Sequence, residues 1–92
     1  MRNTLISAMY DRNGFIRENA LSVIENLSDT ERKAIYEQVK AMALHDKVSQ
    51  VRAAAVQSLD KYFRSADNRD VFAKTAKDKS PLVLRVTEAL KN

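Results

Sequence analysis

Cysteine and tryptophan are absent from these 92 residues, and glycine, proline and histidine occur once each. Without cysteine there is neither a disulfide nor a thiolate metal site, and a solitary His45 has no second imidazole with which to hold zinc. One glycine and one proline are too little punctuation for hairpins, and β-branched runs are scarce, so no sheet is expected. No apolar run approaches the roughly 18 residues read as a membrane span. The N-terminus also lacks the basic-then-apolar order of a secretory signal. A soluble chain with no membrane partner is the expectation. What remains is rich in Ala, Leu, Val, Glu, Lys and Arg, and reads as one small all-α domain.

The materials of catalysis are equally thin. Hydrolases and transferases assemble a positioned base, a nucleophile and groups that hold developing charge. His45 falls at a helix end beside Asp46, which suits a capping residue better than a general base. Asp29/Glu31 and Asp67/Asp70 lie in the first turns of predicted helices, where carboxylates stabilise a helix whatever its function. Gly14 stands alone, so there is no glycine-rich phosphate loop, and its expected part is to ease entry into the second helix. Neither a catalytic activity nor a cofactor is expected.

The positive signal is repetition. Asp11-Arg-Asn-Gly-Phe-Ile-Arg17 followed by Ala20 and Ile24 is matched by Asp46-Lys-Val-Ser-Gln-Val-Arg52 followed by Ala55 and Leu59. Asp78-Lys-Ser-Pro-Leu-Val-Leu-Arg85 opens a third version. The aspartates stand 35 and then 32 residues apart, a period of solenoids rather than of a single globular core.

Each aspartate separates two helical patterns. After it, apolar residues recur at helical spacing: Ile16, Ala20, Val23/Ile24 and Leu27, then Val51, Ala55, Leu59 and Tyr62, then Leu82/Val83, Val86 and Leu90. These predict second helices over 14–27, 49–64 and 81–91, the last opened by Ser80-Pro81, where Ser accepts from exposed amides and Pro fits the first helical position. Before each aspartate lies a partner: a stub over 3–10 with Leu5, Ile6, Met9 and Tyr10 inward, a helix over 29–45 with Ile35, Val39 and Met42, and a shorter one over 67–77 with Val71, Phe72 and Ala76. Ser28 and Glu31 form a capping box that fixes the start of the middle one. Tyr10, Tyr36 and Tyr62 suit core or groove packing, with Tyr62-Phe63 the more exposed pair. Six helices in three pairs result, with short links suited to antiparallel neighbours.

The pattern of Asp, an aliphatic and Arg, a mid-helix Ala and a further aliphatic resembles the HEAT repeat in its shorter, HEAT-like form. The resemblance covers nearly the whole chain and is fullest at Asp46, Val51, Arg52, Ala55 and Leu59, with Asp11, Ile16, Arg17, Ala20 and Ile24 close behind. The third unit departs from it, with Leu84 in the Arg slot, Thr87 in the Ala slot and Arg85 one residue late. The resemblance implies a right-handed α-α superhelix, a HEAT-like solenoid of about six antiparallel helices in three repeats, over approximately 1–27, 28–64 and 65–92. It also implies that Asp11, Arg17, Asp46 and Arg52 form a structural ladder between adjacent units. Ala20 and Ala55 are read as the small residues that let neighbouring helices approach closely.

Such a module is expected to be a non-catalytic scaffold with a protein partner. Charge is unevenly placed: residues 1–31 hold three basic and five acidic groups, and residues 32–92 thirteen basic and seven acidic. Each repeat aspartate is followed by a base, Arg12, Lys47 or Lys79, which stacking would align along one edge near Lys74 and Lys77. The polar side of the second helices, with Glu18, Ser22, Glu25, Gln50, Ala53, Gln57, Asp60 and Arg64, is the other candidate surface. Two further readings follow from the resemblance. One is an appendage of a larger enzyme, as at the C-terminus of M1-family zinc aminopeptidases, whose His-Glu-x-x-His motif this chain lacks; the apolar first stub suggests a chain cut from something longer. The other is a binder of nucleic-acid backbone, as in HEAT-like DNA glycosylases, although no aromatics interleave the bases of the edge. Self-association through the apolar N-terminal helix is the alternative use of the stub.

Overall fold

The computed structural model describes residues 2–90; Met1, Lys91 and Asn92, which the expected repeat bounds include, lie outside the described residues. Among the described residues there is no strand, and six α-helices follow one another: α1 (Arg2–Met9), α2 (Gly14–Ser22), α3 (Asp29–His45), α4 (Ser49–Tyr62), α5 (Arg69–Thr75) and α6 (Pro81–Ala89). The chain is an all-α protein.

Local chemistry sets the helix ends. At α3 the Ser28 hydroxyl accepts from the Glu31 amide at 3.2 Å while Glu31 accepts from the Ser28 amide at 3.0 Å, the reciprocal capping box. The Asn13 side chain caps α2 by accepting from the Phe15 amide at 2.8 Å. Ser80 does not use its hydroxyl as a cap for α6, contrary to expectation. Its backbone amide instead donates to Asp78 at 2.8 Å. The second helix of the first unit is also not continuous to residue 27, because a 3-10 turn, Val23–Asn26, replaces its last turn. The Arg32 guanidinium reaches back to accept that change, donating to the carbonyls of Ile24 and Glu25 at 3.2 Å each.

The most extensive helix contacts join α3 with α4, α4 with α6 and α2 with α4; α1 meets α2 nearly as broadly, α3 also meets α5 and, less, α1, and α5 meets α6 over a small area. The radius of gyration is 12.2 Å and the extents are 34 × 29 × 16 Å. A compact chain of this length has a radius of about 12 Å, and the thin dimension suits two helix layers about 8–10 Å apart. Leu5, Met9, Leu21, Ile24, Ile35, Val39, Met42, Val51, Val56, Leu59 and Val71 build the core between the layers. Ala20 and Ala55 are both buried in it.

Several side chains lie elsewhere than their spacing suggests. Tyr10 is 67% exposed and Ile16 41% exposed, although both belong to apolar stripes. Leu82 likewise faces outward. Ala53, assigned to the polar surface, is buried, because α4 is flanked by α2, α3 and α6 and keeps only a narrow free stripe. Phe63 is buried rather than exposed, with its ring centroid 5.3 Å from that of Tyr36. Thr87, which stands in the Ala slot of the third unit, is buried and donates to the Thr75 hydroxyl at 2.8 Å, so the departure has a partner on α5.

Candidate functional site

The turns between the two helices of each pair lie next to one another and share a single construction. Asp11, Asp46 and Asp78 each turn their carboxylate back to accept the amide two residues on, at 2.8 Å from Asn13, 2.9 Å from Val48 and 2.8 Å from Ser80. Such Asx turns stop the incoming helix and aim the next one. They do not reach the first-turn amides, so the aspartates shape the turn rather than cap the helix. Gly14 sits where a Cβ would meet Val48 Cγ2 at 3.1 Å, so a close approach between neighbouring turns explains the one glycine.

Arginines tie each turn to the next. Arg17 donates from Nε and Nη2 to the two carboxylate oxygens of Asp46 at 2.7 and 2.9 Å, and from Nη1 to the Asp11 and Arg12 carbonyls at 2.7 and 3.1 Å. Arg52 repeats the pattern, donating to Asp78 at 2.9 and 3.1 Å and to the Asp46 carbonyl at 2.7 Å. Both pairs are close to fully buried, with side chains 8% and 6% exposed in the first and 10% and 11% in the second. The fork geometry matches a carboxylate with two parallel bonds, and the carbonyl takes a third donor. Hydrogen bonding to Asp46 raises the Arg17 pKa against the lowering by burial. Burial pushes the Asp78 carboxyl up, but hydrogen bonds from Arg52 and the Ser80 amide, with the charges of Arg52 and Lys79, outweigh it and hold the group below its ordinary value.

Of the four residues expected to form a ladder, the structure joins Arg17 with Asp46 and gives Arg52 a different partner, Asp78. Asp11 contributes its carbonyl, not its carboxylate, to Arg17. The signal for Asp78 was the spacing itself, since it stands in the same turn position as Asp46.

The expected row of bases lies at these turns. Arg12 and Lys47 line one open depression with Tyr10, Asp11 and His45. Lys47 also lines the adjoining one, together with Lys74, Lys77 and Lys79. All five bases are exposed. Lys74 shares its charge with Asp70 at 3.3 Å. The other candidate residues are elsewhere: Gln57 lines a depression between α2 and α4 with Glu18, Ser22 and Tyr62, while Gln50 and Arg64 are exposed at the two ends of α4. Among the described residues no group of three or more His, Cys, Asp or Glu side chains converges as a metal site would require. No helix of the described residues is long and apolar enough to cross a membrane.

Sequence reasoning missed Asn68. Its amide donates to the Leu59 and Phe63 carbonyls at 3.3 and 3.0 Å, closing the end of α4, and its oxygen accepts from the Tyr36 hydroxyl at 2.6 Å. No spacing rule marks such a residue, because its partners come from two other segments, the end of α4 and the middle of α3. No protein-family model matches the chain, and no curated protein or solved structure is significantly similar to it.

Proposed function

We propose that the chain is a HEAT-like solenoid module without chemistry of its own, three helix pairs stacked as a right-handed superhelix, and that it holds an acidic protein segment along its turn edge. The stacked reading draws on the order of helix contacts, which run within each pair and between like members of adjacent pairs. It draws equally on the recurrence of one buried arginine fork from unit to unit.

The observation that carries the functional reading is the charge left over on that edge. Arg17 and Arg52 neutralise Asp46 and Asp78 from inside. Arg12, Lys47, Lys77 and Lys79 are thereby left as an excess of positive charge around two adjoining depressions. A peptide carrying spaced carboxylates meets complementary charge there at every turn.

Fluorescence anisotropy with a labelled oligo-glutamate peptide at low salt tests this. Binding is expected to the parent chain, to be lost in the Lys47→Glu/Lys79→Glu double variant, and to persist in Gln57→Ala/Arg64→Ala. Loss in the second variant alone would move the site to the α4 stripe. Binding to duplex DNA instead, falling steeply as salt rises, would replace the protein partner by a phosphate backbone.

A further inference from the structure

The turn of the first unit has the same construction as that of the second and lacks its completion. Asp11 forms the Asx turn with Asn13 and gives its carbonyl to Arg17, as Asp46 does with Val48 and Arg52. Asp46 and Asp78 each also receive an arginine fork on the carboxylate. Among the described residues no arginine or lysine forms an ion pair with Asp11.

A second, independent observation falls on the same unit. Ile16 stands five residues after Asp11, as Val51 and Val83 stand after Asp46 and Asp78. Val51 and Val83 are 0% exposed, whereas Ile16 is 41% exposed. Together with Leu5, Ala8, Ala20 and Val23 it lines an apolar groove between α1 and α2, with Thr4 and Asn19 at its margin. The first unit thus lacks both the fork on its carboxylate, which Arg17 reaches through its charge alone, and the cover over its aliphatic face.

The opposite end of the chain offers the complementary chemistry. On α6 the arginine slot is filled by Leu84, while Arg85 is exposed beside it and Leu82 is exposed one turn before. The first unit, residues 1–27, holds three basic and three acidic groups, so the complementarity is local, between the exposed Arg85 and the Asp11 carboxylate. We propose that a second copy of this chain docks head to tail, with α6 of one copy in the α1/α2 groove of the next and its Arg85 on Asp11. Contact between molecules does not have to keep the register of the internal joints, so rotating α6 by one residue places Arg85 where Arg52 stands for Asp78. A heterologous contact of this kind is not a two-fold one, so chains of growing length, or a ring where the rotation closes, follow rather than a two-fold dimer.

The proposal rests on the stacked reading of the units but not on the basic edge; because Asp11 borders the depression of Arg12 and Lys47, the peptide titration is repeated on Ile16→Glu, so that the two outcomes stay separate. Sedimentation velocity over a micromolar to millimolar series is the test. The parent chain is expected to shift to larger species with concentration, and less so at high salt. Ile16→Glu, Asp11→Arg and Arg85→Asp are each expected to sediment as monomers, with helical circular dichroism retained. Mixing Asp11→Arg with Arg85→Asp places opposite charges at both kinds of joint, and association is expected to return. A parent chain that stays monomeric throughout, or association unchanged by Ile16→Glu, or failure of the mixture to associate, overturns the proposal.

Discussion

Arg52 illustrates how little of a buried ion pair's worth lies in the attraction itself. Taking both charges out of water costs several kcal/mol, and only the double fork and the extra carbonyl acceptor offset it. Deleting one partner therefore exposes the whole cost. Arg52→Ala is expected to destabilise the chain by about 3 kcal/mol in a urea titration, the low end for a buried pair because both side chains are still about 10% exposed. Arg52→Lys should recover little, since an ammonium cannot reproduce the planar fork. The pH dependence has a definite sign. The Asp78 pKa is depressed in the fold, so its stabilisation is fully present above the unfolded value of about 3.9 and is lost as pH falls through the folded value. Acid titration of the parent should show stability falling below about pH 4, and Asp78→Asn should flatten that slope. At this scale the sequence was informative where one spacing rule repeated, as for Arg17 and Arg52. It misplaced Ile16 on the buried face, because an apolar residue at helical spacing reads the same whether or not a neighbour covers it.

Element boundaries were legible where the signal was local. The start of α3 follows from Ser28 and Glu31 alone, and both bonds of the box are formed. Ser28→Ala is expected to cost about 1 kcal/mol. For a domain of this size that is a drop of roughly 4–8 °C in Tm. The end of α2 was not legible, because the carbonyls of the 3-10 turn meet Arg32 of α3, which also lies 5.0 Å over the Tyr62 ring, only after the helices pack. The end of α4 was hidden for the same reason: Asn68, Tyr36 and Phe63 meet only once the pairs have packed. Asn68→Ala removes a buried amide that satisfies two carbonyls and one hydroxyl. A loss of about 2 kcal/mol is expected in the same urea titration, with Tyr36→Phe costing less because α4 keeps its Asn68 bonds. Where partners are distant in sequence, no periodicity foretells them.

For the whole molecule, stacking has a consequence that a closed bundle does not share. In a stacked array each unit touches only its neighbours, so stability is a sum of units and joints, and a broken joint frees one end while the rest stays folded. The Arg17–Asp46 fork joins the first pair to the second, and α1 is short with an uncovered groove beside it. The first unit is therefore the weakest part of the proposed stack. Native-state hydrogen exchange on Arg17→Ala is expected to show amides of α1 and α2 losing most of their protection, while α4 and α6 keep theirs. Arg52→Ala should instead release α5 and α6, leaving α2 and α3 protected. A bundle wrapped around a common centre would respond to either change by losing protection throughout. Equal loss in all helices for both variants would thus replace the stacked description, and with it the reason for reading the turn edge and the uncovered end as surfaces built by repetition.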